Sequence, residues 1–390
     1  MVSNSTSTTT ISYLPDECLE SIFKLVIIDD DNKHRYFYPF NSSKQIKRKR
    51  ILLFQSSQQI TSSTYSDIPK YEHNDHYLNS LSLVSKQFLS ITRRLRLSYT
   101  LYFSTRPFLC HLFEKFTNLN SLNLSYYHCS DLDKFLQEIA NFPSLNITSL
   151  NISNKGIFFP TNGLQVFSKN IKTLTSLNCS GTFPGKRGLL LIANCFPLLK
   201  ELNFGHTYNN YINEFHCLLS TCRYIQHLDL NHIYFLNDLH VAELSLLLGD
   251  LVSINLSECR MLTESALFSL VRNCPSLHEI KMEHTNVGKG SVENFNFLSD
   301  FPPSPQLKSL CLALCLQLRD ANIVLFATIF PNLQLLDLNS CNRLSEGICY
   351  VLRRCCKIRD LNLANWSRVK PLGINFVVPK LGVELVKYKG

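Results

Sequence analysis

One pattern of apolar and polar positions recurs along most of this chain and predicts its architecture. Each copy has an aliphatic residue, two variable residues, a second aliphatic residue, one polar residue and a third apolar residue, as in the segment from Ile225 to Leu230. A repeat of about 27 residues is typical of a solenoid, because one copy cannot bury its apolar face alone. The ten copies begin at Leu119, Ile147, Leu174, Leu199, Ile225, Leu251, Leu277, Leu307, Leu333 and Ile358.

Each copy predicts one short strand, and the segment between two copies predicts a helix. The alternation in Leu228-Asp229-Leu230 has the period of a strand with one buried face. Between copies, the segment from Glu264 to Cys274 places its aliphatic residues on one helical face and ends before Pro275. Strands that are joined through helices pair in parallel. The sequence therefore predicts an α/β solenoid with a concave parallel sheet and helices on the convex side, and its copies resemble leucine-rich repeats, so the expected fold class is an α/β leucine-rich repeat solenoid.

The predicted boundaries divide the chain into four parts. A polar, disordered N-terminus is predicted over residues 1–10, and a helical module at 11–95 is interrupted by an insertion at about 27–77. The insertion is rich in Ser, Thr, Gln and charged residues, so we expect disorder there. About ten repeats follow over residues 97–366, with Leu101-Tyr102-Phe103 as a degenerate first strand. Residues 367–390 form a predicted cap, whose Phe376, Val377 and Leu381 cover the last coil.

The concave face is predicted to bear small, mostly neutral polar side chains that suit a protein or peptide partner. The side chains between the last two apolar positions are Asn123, Asn151, Asn178, Asn203, Asp229, Asn255, Lys281, Cys311, Asp337 and Asn362. Two positions after the third apolar residue of each copy, the side chains are predicted to form a row in which neighbours are about 4.8 Å apart. In four successive copies this row consists of His206, His232, Glu258 and His284. The row leaves open a transition-metal site, contact with a partner, or no role. Our candidate target-contact residues are His206, Asp229, His232, Glu258, His284 and Asp337, and we assign no metal ligand.

Composition narrows the classes of function. The 15 cysteines are odd in number and form no C-x-x-C pair, which indicates reduced, buried side chains rather than disulfides or zinc ligands. No phosphate-binding loop or catalytic motif is present, so we expect neither enzymatic activity nor a cofactor. The sequence has no signal peptide and no stretch of about 20 apolar residues, which predicts a protein without membrane contact.

The net charge of +9 derives partly from a basic run between Lys44 and Arg50. That run is interpreted as a solvated charge cluster, a nuclear import signal or a contact for acidic partners. The repeats lack the Arg and Lys stripe that nucleic-acid binding requires. We therefore expect a cytoplasmic protein, with the nucleus left open by the basic run, and no nucleic-acid partner.

Two apolar helical segments precede the repeats. The first begins Leu14-Pro15-Asp16-Glu17 and carries Leu19, Ile22 and Phe23 on one face. The second runs from Leu78 through Leu81 and Leu83-Val84-Ser85-Lys86 to Phe88. Together they resemble an F-box, which begins with Leu-Pro-x-Glu, carries Ile-Phe a turn later and ends with Leu-Val-Ser-Lys and an aromatic residue.

This resemblance implies docking on a Skp-type adaptor and, through it, on a cullin. The residues that it assigns to adaptor binding are Leu14, Pro15, Leu19, Ile22, Phe23, Leu81, Val84, Ser85, Lys86 and Phe88. The repeats are similar to the cysteine-containing subclass of leucine-rich repeats, in which one cysteine precedes the strand and another follows it. Preceding positions hold Cys222, Cys274 and Cys355, with Phe116 and Phe330 as substitutes. Following positions hold Cys259, Cys315 and Cys341, with Trp366 as a substitute.

The resemblance predicts a substrate-recognition subunit of a Skp/cullin/F-box ubiquitin ligase, in which the repeats hold a target protein. It predicts a receptor without catalytic residues of its own. The alternative is a non-catalytic repeat scaffold or regulator, whose F-box-like segment only caps the solenoid. A GTPase-activating solenoid would need a catalytic Arg or Asn on its rim, and the sequence marks out no single arginine for that role.

Overall fold

The computed structural model of the 390-residue chain describes residues 15–23, 49–53, 80–127, 131–142, 144–154, 158–206, 211–290, 303–365 and 383–387. The strands are β1 Lys49–Leu53, β2 Ser98–Thr100, β3 Ser121–Asn123, β4 Ser149–Asn151, β5 Ser176–Asn178, β6 Glu201–Asn203, β7 His227–Asp229, β8 Ser253–Asn255, β9 Glu279–Lys281, β10 Ser309–Cys311, β11 Leu335–Asp337, β12 Asp360–Asn362 and β13 Val383–Lys387. The helices are α1, described at residues 16–23, α2 Lys86–Leu95, α3 Leu109–Lys115, α4 Leu132–Ala140, α5 Thr161–Asn170, α6 Gly185–Cys195, α7 Ile212–Thr221, α8 Asp238–Ser245, α9 Glu264–Asn273, α10 Asp320–Ile329 and α11 Gly347–Arg354, with a 3₁₀ helix at Phe103–Phe108.

Within these residues the strands form one parallel sheet in the order β13-β1-β12-β11-β10-β9-β8-β7-β6-β5-β4-β3-β2. Each strand from β3 to β12 begins two residues after the start of a predicted copy, so the repeat positions are confirmed. The central residues align across the sheet, as Leu228, Ile254 and Ile280 do in β7 to β9. The predicted fold class, an α/β leucine-rich repeat solenoid, is therefore confirmed.

The core is continuous from one coil to the next. The central residue of each repeat strand and the apolar residue that follows the strand are buried beneath the helices, as Ile254 and Leu256 are at 2% and 0% exposure. The helices bury matching faces, such as Leu267, Leu270 and Val271 in α9, which the sequence had predicted. Strands of three residues are too short to be stable singly, so each coil depends on its neighbours for burial.

The repeat cysteines are buried thiols with a structural role. Those that end a helix donate to the preceding coil, as Cys222 Sγ does to the Phe196 carbonyl oxygen at 3.5 Å. Those that follow a strand also donate to the preceding coil, and Cys259 Sγ, for example, donates to the Leu230 carbonyl oxygen at 3.3 Å. Burial raises the pKa of Cys222 and of Cys259 to about 12, which keeps both thiols protonated at neutral pH. Fourteen cysteines in the described ranges are free.

Two boundary predictions need correction. The first strand is Ser98–Thr100 rather than Leu101-Tyr102-Phe103, because Leu101 takes the buried position that follows a strand, at 0% exposure. Residues 49–53, expected within a disordered insertion, form β1, which pairs with β12 on one side and β13 on the other. The rest of the insertion, residues 1–10, Leu14, Trp366, Phe376, Val377 and Leu381 lie outside the described residues. No described helix has the length and apolar character that a membrane crossing demands.

Candidate binding surfaces

The helical module, described at residues 15–23 and 80–95, has a small core of its own. Leu19, Phe23 and Ile91 are buried at 7%, 3% and 0% exposure, and Leu81 and Phe88 pack against them. The rings of Phe23 and Phe88 meet edge to face with centroids 4.9 Å apart. This contact fixes α1 on α2, although some 60 residues of chain separate the two helices.

Polar contacts set the relative orientation of the same two helices. Arg94 Nη2 lies 3.1 Å from Asp16 Oδ2 and 2.7 Å from Glu20 Oε1. Gln87 Nε2 donates to Asp16 Oδ1 at 2.8 Å. The hydrogen bond from Gln87 and the guanidinium of Arg94 hold the pKa of Asp16 below its ordinary value. The contacts specify geometry more than they add stability, because exposed ion pairs contribute little.

The predicted adaptor-binding residues divide into a buried and an exposed group. Leu19 and Phe23 belong to the module core, and Leu81 and Phe88 are half-buried. Ser85 is the N-cap of α2 and accepts a hydrogen bond from the Phe88 amide at 3.1 Å. The exposed group consists of Pro15, Ile22, Val84, Ser85 and Lys86, and Leu14 lies outside the described residues.

Large aliphatic side chains remain uncovered on this module. Ile22 is 45% exposed, Val84 is 62% exposed and Leu83 is 87% exposed. We call these three residues the aliphatic set. Leu83 was not among the predicted site residues, although it stands beside Val84 in the same motif. Only the structure shows that Leu83 points away from the module core.

Several asparagines of the concave face accept hydrogen bonds from backbone amides at the ends of their own strands. Asn151 Oδ1 accepts from the Ser153 amide at 2.9 Å, and Asn178, Asn203 and Asn255 make the equivalent bond to the amide two residues later. Asp229 and Asp337 do the same and also accept from an asparagine of the next coil. Much of this column therefore satisfies the backbone where each strand ends.

The row of His206, His232, Glu258 and His284 occupies a special backbone position. All four residues have a φ between 52° and 64°, in the left-handed region. Non-glycine residues rarely adopt this conformation, and histidine is one of the types that tolerate it better. The same position in other coils holds Gly181, Leu314, Ser340 and Asn365, also at positive φ. The recurrence of this position from coil to coil is thus explained in part by the left-handed turn that follows the strands.

The row is divided into two pairs. The rings of His206 and His232 stack with centroids 4.1 Å apart. His284 Nδ1 lies 2.8 Å from Glu258 Oε1, and Arg260 Nη2 lies 3.1 Å from Glu258 Oε2. Burial acts to raise the pKa of Glu258, but the bonds from His284 and Arg260 outweigh it and lower the value. Within the described ranges, no three His, Cys, Asp or Glu side chains are arranged to hold a metal ion.

Similarity of this chain to known proteins is found among solved structures. No family model matches the chain, and no curated protein matches it. The crystal structure of the Rad7 and Elc1 complex in yeast is similar with a TM-score of 0.48 and 19% identity, over 74% of this chain and 84% of that one. The TLR13-ssRNA13 complex is similar with a TM-score of 0.39 and 16% identity, over 70% of this chain and 50% of that one. The present chain thus spans half the length of the TLR13 chain.

Proposed function

We propose that this chain is the substrate-recognition subunit of a Skp/cullin/F-box ubiquitin ligase. The observation that carries the proposal is the aliphatic set on a module whose own core is already filled. Ile22, Leu83 and Val84 are not needed to cover Leu19, Phe23 and Ile91. Large aliphatic side chains that are left exposed on one small module favour a surface for a partner.

The motif that resembles an F-box contains the aliphatic set. Ile22 belongs to its Ile-Phe pair, and Val84 belongs to its Leu-Val-Ser-Lys run. The polar contacts of Arg94 hold the two helices so that both halves of the motif form one unit. An adaptor of the Skp type, and through it a cullin, is the partner that this motif implies.

In this proposal the solenoid holds the target protein and supplies no reactive group. Catalysis is by proximity, because a held target presents its lysines to a ubiquitin-loaded enzyme at a high effective concentration. The buried repeat cysteines match the positions of the cysteine-containing repeat subclass, which supports assignment to that subclass. The protein would act in the cytoplasm, and the basic run leaves import into the nucleus open.

Capture of a purified Skp-type adaptor by the full chain tests the proposal. The wild-type chain is expected to retain the adaptor, and Val84→Asp is expected to weaken binding by at least about a hundredfold. The physical reason is that an exposed valine buried at an interface contributes about 2 kcal/mol, whereas a buried unpaired carboxylate costs more. Binding is measured by calorimetry.

Leu246→Asp is the matched control, since Leu246 is 72% exposed at the end of α8, far along the chain from the module. It should bind the adaptor like the wild type. Absence of adaptor binding by the wild-type chain would contradict the ligase assignment and favour a scaffold whose module is only a cap. Equal loss in both variants would show that the aliphatic set is not the contact.

A further inference from the structure

Basic side chains are concentrated on the connection between helix α11 and strand β12. The exposed basic residues of this connection are Arg353, Arg354, Lys357 and Arg359. Between them, Cys355 and Ile358 are buried at 1% and 3% exposure, and the Ile358 amide donates to the Cys355 carbonyl oxygen at 3.1 Å. The backbone of the connection is therefore anchored in the core, while its four basic side chains are exposed to solvent.

The residue before strand β10 adds a fifth basic side chain on the same edge of the sheet. Lys308, Gln334 and Arg359 directly precede β10, β11 and β12. The Gln334 amide donates to the Lys308 carbonyl oxygen, and the Arg359 amide donates to the Gln334 carbonyl oxygen, each at 2.8 Å. Lys308 and Arg359 are thus two strand spacings, or about 10 Å, apart. We call the five basic residues the basic corner, which consists of Lys308, Arg353, Arg354, Lys357 and Arg359.

Carboxylates near the basic corner are few. The acidic residues within 303–365 are Asp320, Asp337, Glu346 and Asp360. Asp320 and Glu346 lie where α10 and α11 begin, at the helix ends remote from the corner, and Asp337 ends strand β11. Of these acidic residues, only Asp360 adjoins the corner along the chain. Among the residues that the structure describes, no ion pair joins any side chain of the basic corner to a carboxylate.

The helix dipole accounts for only part of the basic corner. Arg353 and Arg354 lie in the last turn of α11, where the partial negative charge of a helix C-terminus favours basic residues. Lys308, Lys357 and Arg359 lie outside the helices, so the dipole gives no reason for their charge. Uncompensated charges of one sign repel one another, and an anionic partner would relieve that repulsion.

Strand β1 brings a second basic segment to the same place from a distant part of the sequence. It begins Lys49-Arg50, and Arg50 is in register with Asp360 of β12 and with Glu384 of β13. Lys49, one position earlier, lies beside Arg359 in the sheet. The end of the basic run that the sequence left with three interpretations therefore adjoins the basic corner, and the pairing adds a basic position there rather than an acidic one.

We propose that the basic corner binds an acidic segment of the target protein, rich in Asp and Glu. A guanidinium binds a carboxylate through two parallel hydrogen bonds, and three of the five basic residues are arginines. Basic groups that are spread over about 10 Å suit several carboxylates along one chain rather than a single small anion. Of the three interpretations of the basic run, this one takes the contact for acidic partners.

The position of the basic corner favours the target over the adaptor as its partner. The helical module leads into β2, at one end of the sheet, whereas the corner lies at β10 to β12, near the other end. Ten strand spacings, or about 48 Å along the sheet, separate β2 from β12. The proposal rests on the proposed function only in treating the bound protein as a target.

Binding of a rhodamine-labelled hexaglutamate peptide to the full chain tests this proposal by fluorescence anisotropy. The wild-type chain is expected to bind this peptide and not a hexaglutamine peptide, and its affinity should fall as salt is raised. Arg359→Gln is expected to weaken binding about threefold. The double variant Arg354→Gln/Arg359→Gln is expected to weaken it at least about tenfold, because each change removes an exposed ion pair with the peptide.

Lys200→Gln is the matched control, because Lys200 is exposed and directly precedes β6 as Arg359 directly precedes β12. It removes the same net charge and should bind the peptide like the wild type. Equal weakening by Lys200→Gln and Arg359→Gln would overturn the proposal, since it would show diffuse attraction to the whole basic chain. No binding by the wild type, or tighter binding of a single-stranded DNA of equal charge, would also overturn it.

The two proposals fail separately. Arg354→Gln/Arg359→Gln is expected to capture the Skp-type adaptor like the wild type, and Val84→Asp is expected to bind the hexaglutamate peptide like the wild type. Peptide binding without adaptor capture would refute the ligase role and keep the basic corner as a binding surface. Adaptor capture without peptide binding would refute the basic corner and keep the ligase role.

Discussion

Ile91→Asp is expected to unfold the helical module and leave the solenoid folded. Ile91 is 0% exposed and packs against Leu19 and Phe23, which form most of the module's core. Burial of an unpaired carboxylate at this place costs several kcal/mol, about 4 kcal/mol or more with the lost packing. The module's small core cannot offset that cost, whereas the repeats have a separate continuous core. Limited proteolysis with mass spectrometry would detect new cleavage between residues 80 and 95.

Ile91→Val is the control for this prediction. Loss of one methylene from a buried isoleucine costs about 1 kcal/mol, so the module should stay folded and resistant to cleavage. Circular dichroism should show that Ile91→Asp keeps the secondary structure of the repeats. Loss of the whole fold in one step would contradict the separation of the module from the solenoid.

Ile51→Pro is expected to disrupt the pairing of β1 with β12 and β13 at the end of the sheet. Ile51 pairs with Leu361 of β12 on one side and with Leu385 of β13 on the other. Proline has no backbone N–H and is excluded from a strand that is paired on both sides. The amides of residues 360–362 and 383–387 should therefore exchange at least about tenfold faster in hydrogen exchange, because their local opening becomes easier.

The remote strands β3 to β6 serve as the internal reference, since the effect should stay near the end of the solenoid. Ile51→Val retains the backbone donor and should leave exchange unchanged. Unaltered exchange at residues 360–362 in Ile51→Pro would contradict the placement of β1 between β12 and β13.

The sequence predicts the repeat strands well because their signal is local. A strand from Leu228 to Leu230 is recognised from alternation within six residues, and the spacing of copies then sets the stacking. Helix α9 likewise begins at Glu264, as predicted, and its cap residue is Cys274. These features need no knowledge of distant contacts.

Other features depend on contacts that a sequence pattern does not encode. Strand β1 pairs with a segment about 310 residues away, and its own sequence continues a basic run that was interpreted as part of a disordered insertion. The histidine row appeared as a chemical cluster, whereas its recurrence reflects a left-handed turn position. The exposure of Leu83 likewise follows from how α1 and α2 pack.

Hydrogen exchange of the full chain, with and without a saturating Skp-type adaptor, tests the central claim most directly. The claim is that the helical module meets the adaptor while the concave sheet stays available for a target. The predicted result is protection of residues 15–23 and 80–95, with unchanged exchange in β3 to β12. Protection of the concave strands, or no protection at saturating adaptor, would contradict it.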